Sequence, residues 1–211
     1  PVSGGRKGAI AGTVAIMGSG PKDVFDAHMD VFKAFAKNPF HVGEKPGQGQ
    51  VVKMLNNFLS ATATTATTEA VLFGLSQGVE MKAILDVVNV STGMNTASLD
   101  KFPNQIMTEN FNAGFFTKLL AKDVRLFREN SDKAGTPNAI ATLVSKIFDG
   151  CEKDMPGSDF TVVYKYLLYV KCCPERLLSS LRPTAERPRT DAADRPDIPC
   201  ERTRAPVRHN R

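Results

Sequence analysis

The spacing of apolar residues changes about a quarter of the way along the chain. Up to about residue 44 they come in short runs broken by glycine and proline; from about residue 47 they recur at helical intervals. In the first part, residues 13–17 form an apolar run between glycines and predict a short buried strand. Pro21 then leads into KDVFDAHMDVFKAFA, where Val24, Phe25, Met29, Phe32, Ala34 and Phe35 give the pattern of one amphipathic helix. The segment NPFHVGE predicts a second strand. A βαβ-like unit of this kind belongs at the edge of an α/β sheet, and a stable sheet needs more strands than these two.

The second part predicts helices almost throughout. The first runs from residue 48 to about 77, and its stretch SATATTATTEA is built almost entirely of small residues, which suits a close crossing between helices. Threonine is a middling helix former, so tertiary packing must hold that stretch in place. Gly78 stops this helix, and MKAILDVVNVS forms the next, ended by Gly93. Residues 93–115 read as a loop with a short helical piece. FTKLLAKDVRLFRENSDKAG is strongly amphipathic and ends at Gly135; NAIATLVSKIFDGCEKD and GSDFTVVYKYLLYV supply two more helices. The expected fold is therefore mainly α: a βαβ edge of an α/β domain over residues 1–44, then an all-helical domain over 45–171 with a long central helix.

Composition alters this picture mainly at the C-terminal end. Residues 172–211 hold six of the thirteen prolines and few apolar residues after Leu181, a composition that predicts a disordered Arg/Pro-rich tail. Residues 171–211 also carry ten Lys or Arg against six acids, so most of the net charge of +5 lies there and the body is near neutral. No aromatic residues interleave the basic ones, so specific nucleic-acid binding is not expected. Four cysteines, Cys151, Cys172, Cys173 and Cys200, lack zinc-ligand spacing, and no metal site is expected. No apolar run approaches the ~18 residues of a membrane span, and the expected location is cytoplasmic.

The candidate chemistry lies in GQGQVVKMLNN, residues 47–57. Lys53 and Asn57 are four apart and share one helix face, with Val51, Val52, Met54, Leu55 and Phe58 around them. Partial burial would lower the lysine's pKa toward a useful range. The same spacing also fits a solvated polar pair on an amphipathic helix.

Four segments in fixed order, PVSGGRKGAIAGT, GQGQVVKMLNN, FFTKLLAKDVRLF and PGSDFT, together resemble the β-hydroxyacid dehydrogenase family. This family includes the 3-hydroxyisobutyrate dehydrogenases and the 2-hydroxy-3-oxopropionate reductases. The resemblance covers roughly residues 1–168 and implies an NAD- or NADP-dependent oxidoreductase acting on a small hydroxy acid, with residues 1–44 the C-terminal remnant of an NAD(P)-binding Rossmann domain and 45–171 the family's all-helical domain. It places Ser3 and Gly4 at the substrate carboxylate, Lys53 as the catalytic acid/base, Asn57 on the substrate and Lys122 at the nicotinamide end of the cofactor, with Asp123 beside it. Val124 stands where the family usually has leucine. The family's G-x-G-x-x-G turn, which seats the cofactor pyrophosphate, does not occur in these 211 residues. The expectation is therefore a C-terminal fragment, inactive alone, that pairs with further copies through its helical domain. A non-enzymatic helical dimerisation or binding module is the alternative; Ser3, Lys53 and Asn57 occurring together argue for the enzyme.

Overall fold

The computed structural model describes residues 1–172 and is mainly α-helical, with a three-stranded sheet leading into a helical body built on one long helix. The strands are β1 (Val2–Ser3), β2 (Ala15–Gly18) and β3 (Asn38–His41), in the order β1-β2-β3. β1 runs antiparallel to β2, with Val2 opposite Ile16; β3 runs parallel to β2, with Met17 opposite Phe40. A short helix, α1 (Gly5–Ile10), separates β1 from β2. Neither β1 nor α1 is visible in the apolar pattern, since two strand residues cannot show alternation.

The parallel pair is joined by α2 (Lys22–Ala27) and α3 (Met29–Lys33), where the pattern predicts one continuous helix. The break falls at His28, whose backbone leaves helical geometry (φ −104°, ψ 12°) and whose ring Nδ1 is 2.8 Å from the Val24 carbonyl. The sheet's core is small: Val14, Ile16 and Ala36, with Phe32 packed against them.

The long helix, α4 (Gln48–Ser76), lies where the periodicity puts it. Ala61, Thr64, Thr65, Thr67 and Thr68 are buried along it, so the small-residue stretch is an interior crossing against the other helices. The cost of burying hydroxyls is met locally: Thr64, Thr65 and Thr68 donate to the carbonyls of Ser60, Ala61 and Thr64, each four residues back. After α5 (Met81–Val88), which ends short of the expected Gly93, residues expected as loop form a ten-residue π-helix, Ala97–Ile106, containing Pro103. The Met107 N–H donates to the Phe102 carbonyl, five residues back, as this wider helix requires. α6 (Thr117–Lys133), α7 (Ala139–Asp154) and α8 (Val163–Cys172) complete the body.

The helical core is large. Leu120, Val124, Phe148 and Val163 are almost wholly buried, and so is Cys151. Burial, aided by the Asp154 carboxylate, pushes the Cys151 thiol up to about 12, which makes it a packing residue and not a nucleophile. The tail expected to be disordered lies outside the described residues.

Candidate active site

Two contacts seat the start of α4 on the sheet. A Cβ added at Gly49 would lie 2.1 Å from the Met17 carbonyl oxygen, so only glycine allows the helix this close to β2. The Gly49 N–H also donates to Ser19 Oγ at 3.1 Å. Lys53 follows one turn later. The same face of α4 reaches β1, where Asn56 Nδ2 donates to Ser3 Oγ at 3.3 Å. Gly4 comes next, at φ +134° with Val14 at its back, a conformation and a space that exclude other residues and leave its backbone open to solvent.

The inner wall of the corner comes from α6. Asn57 is 6% exposed; its Nδ2 donates to Asp123 Oδ2 at 2.6 Å, and its Oδ1 accepts from Asn56 Nδ2 at 3.3 Å. The other carboxylate oxygen of Asp123 pairs with Lys122 Nζ at 2.9 Å. The neighbouring Phe58 and Phe127 stack with ring centres 4.3 Å apart and planes 6° from parallel. An aromatic pair of this kind contributes about 0.5–1.5 kcal/mol beyond its buried area, and here it fixes the register that brings Asn57 to Asp123.

Lys53 is half-buried at the centre. Desolvation is the largest influence and lowers its pKa; the Asp123 carboxylate raises it, and the Lys122 ammonium lowers it again. The net direction is downward, which eases interconversion of ammonium and free amine.

All five residues singled out from the sequence, Ser3, Gly4, Lys53, Asn57 and Lys122, border one corner between the sheet, α4 and α6. Asn57 differs from expectation in its partner: one of its N–H bonds is committed to Asp123. Sequence reasoning placed Asp123 only as a neighbour of Lys122, whereas it joins Asn57, Lys122 and the field at Lys53. The available signal was a carboxylate between Leu120 and Val124 on the apolar side of an amphipathic helix. Asn56, the link to Ser3, was missed altogether. A separate cleft of about 420 Å³, lined mainly by Met81, Ile106, Phe111, Tyr164, Lys165 and Leu168, shares no residue with this corner.

The chain belongs to the β-hydroxyacid dehydrogenase family. Residues 47–167 match the family model described as NAD-binding of NADP-dependent 3-hydroxyisobutyrate dehydrogenase, and residues 1–43 match the NAD binding domain of 6-phosphogluconate dehydrogenase. The chain is 32% identical to the NAD-dependent L-serine dehydrogenase of Pseudomonas aeruginosa, over 78% of this chain and 57% of that protein. It is 33% identical to 2-(hydroxymethyl)glutarate dehydrogenase of Eubacterium barkeri, over 71% of this chain and 50% of that one. The solved structure of Mycobacterium tuberculosis 3-hydroxyisobutyrate dehydrogenase with L-serine superposes with a TM-score of 0.72 at 28% identity, covering 79% of this chain and 59% of that one. The chain thus spans about half the length of the curated relatives it matches.

Proposed function

We propose that this chain carries the lysine half of an NAD(P)-dependent oxidoreductase that interconverts a small 3-hydroxy acid and its aldehyde or keto acid. The observation that carries the reading is the half-buried Lys53, its pKa lowered mainly by desolvation, beside the Asn57–Asp123–Lys122 chain of hydrogen bonds. The relatives are named as dehydrogenases of L-serine, 2-(hydroxymethyl)glutarate and 3-hydroxyisobutyrate, compounds that share a carboxylate and a primary hydroxyl.

In this reading the open backbone at Ser3–Gly4 and the Ser3 hydroxyl hold the substrate carboxylate. Lys53, as free amine, takes the hydroxyl proton during oxidation; as ammonium, it returns that proton to the carbonyl oxygen during reduction. The N–H of Asn57 not used by Asp123 positions the same oxygen. Asp123 holds that amide in orientation and keeps a negative charge between two lysines. A bound nicotinamide supplies the other half of the chemistry, accepting the hydride with its electron pair or giving it back. Among the residues present, Lys122, with its side chain largely in solvent, would hold the nicotinamide end. The 211 residues contain no G-x-G-x-x-G turn, so the pyrophosphate end needs residues this chain does not supply.

The test is a fusion of this chain to a G-x-G-x-x-G-bearing half from a relative, assayed with 3-hydroxyisobutyrate, tartronate semialdehyde and threonate. Turnover is expected, and Lys53→Ala should lower kcat roughly 100-fold or more, the usual scale for a positioned acid or base. Cofactor binding should survive that change. Lys53→Arg should fail nearly as badly, because guanidinium does not release its proton near neutral pH. Near-normal turnover in the Lys53→Ala fusion would overturn the reading.

Pairing with a second copy through the helical body forms part of the same proposal. Val51, Leu55 and Leu59 recur at helical spacing along α4 and are exposed. Sedimentation is expected to show a dimer that Leu59→Glu weakens; a monomer at all concentrations would remove this part.

A further inference from the structure

One cation beside the Ser3–Gly4 backbone has no acid to neutralise it among the described residues. Arg6 lies in the first turn of α1, two residues beyond Gly4 and so within about 7 Å of it along the chain. Its stem runs against Gly114: a Cβ added there would lie 3.2 Å from Arg6 Cβ. Arg6 therefore stands between the Ser3–Gly4 backbone and the segment that leads into α6, which carries Asp123 and Lys122. It is exposed and makes no hydrogen bond or ion pair among the described residues.

The acids that could neutralise it are already engaged. Asp159 accepts from the N–H groups of Gly114 and Phe115 on one oxygen and from Thr161 N–H and Oγ1 on the other. Asp100, on the π-helix, pairs with Lys101 at 2.6 Å and Lys7 at 3.6 Å and also accepts from Asn104. Lys7 and Lys101 thus share one carboxylate, while Arg6, the closest of the three to Ser3–Gly4 along the chain, has no acid among the described residues. A guanidinium offers a planar fork of donors that suits a carboxylate.

We propose that Arg6 binds a second carboxylate on the substrate, making the substrate class a hydroxy diacid whose first carboxylate lies at Ser3–Gly4. This rests on the reading of the Ser3–Lys53 corner as the hydroxy-acid site. Lys7 and Lys101 are both held by Asp100, which leaves Arg6 as the cation free to bind a ligand.

A matched pair of ligands tests the assignment on the 211-residue chain. 3-Hydroxyisobutyrate carries one carboxylate, and 2-(hydroxymethyl)succinate is the same molecule with a carboxylate added to its methyl group. Dissociation constants from NMR titration should favour the diacid by about tenfold or more, the scale of one charge-assisted hydrogen-bonded pair. Arg6→Gln should abolish most of that ratio, and Arg6→Lys should keep part of it; unchanged melting curves establish that both variants are folded. An equal affinity for the two acids, or a preference that survives Arg6→Gln, overturns the inference while leaving the corner intact if Ser3→Ala still weakens both ligands. Binding that responds to neither Ser3→Ala nor Lys53→Ala overturns the corner itself, and the Arg6 assignment with it.

Discussion

The sheet and the helical body meet at one helix but are held together in different ways. The body encloses Leu120, Val124, Phe148, Cys151 and Val163 among α4, α6, α7 and α8, with every one of these side chains almost wholly out of water. The sheet and its two connecting helices bury only a small set, Val14, Ile16, Met17, Phe25 and Ala36, and leave Val2, Val24, Val31, Phe35 and Phe40 about half exposed. Apolar burial stabilises in proportion to the area removed from water, so the body can stand on its own core while the sheet depends on neighbours. The candidate site lies where the two meet. The Ser3–Gly4 backbone, proposed above to hold the carboxylate, belongs to the weaker region, and the Asn57–Asp123 pair to the stronger.

The largest expected effect lies in the body. Phe148→Ala should cost about 3–5 kcal/mol and lower the main thermal transition; a small shift would mean that the two regions share stability evenly. Overpacking the small-residue crossing with Thr65→Phe should cost roughly 1–3 kcal/mol, again in the main transition, and an unchanged melting temperature would remove the argument for close packing there. Ile16→Val should cost only about 0.5–1.5 kcal/mol. Hydrogen exchange should localise that loss to β1, β2 and β3, and equal loss in α6 and α7 would contradict the division.

The smallest effect is a pH dependence at the junction. Burial lowers the folded-state pKa of Lys53, so the folded chain binds fewer protons than the unfolded chain between the lowered value and the ordinary lysine value. Stability therefore rises with pH across that window, because the cost of burying the charged form is relieved. Lys53→Met should accordingly raise the melting temperature near neutral pH, with the gain shrinking as pH approaches the ordinary lysine range. A gain that grows with pH would show the Asp123 attraction outweighing desolvation.

Most of the body was legible in the sequence because long helices repeat their apolar spacing many times. α4 begins at the expected Gln48 and ends within one residue of the expected Gln77. Shorter or irregular elements were not legible. β1 is two residues long and exists only through pairing with β2, and the break at His28 rests on one local hydrogen bond within a continuous apolar pattern. The π-helix holds Pro103, a residue that argues against a helix interior in any sequence-based reading. At the site, the i,i+4 spacing of Lys53 and Asn57 was readable, and family resemblance supplied Ser3, Gly4 and Lys122. The Asn57–Asp123 bond joins residues 66 apart, and nothing in a single sequence marks such a pair.

The seating of α4 also decides where this chain can tolerate changes in length. Gly49 is pressed against the Met17 carbonyl and Phe58 is stacked on Phe127, and Lys53 lies between these two fixed points on an unbroken helix. Each residue of an α-helix turns the next by about 100°. One residue inserted or deleted between Gly49 and Lys53 would swing the ammonium a quarter-turn or more out of the corner or pull the helix off the strand. The turn that begins at Gly78, by contrast, could lengthen without moving anything near the lysine.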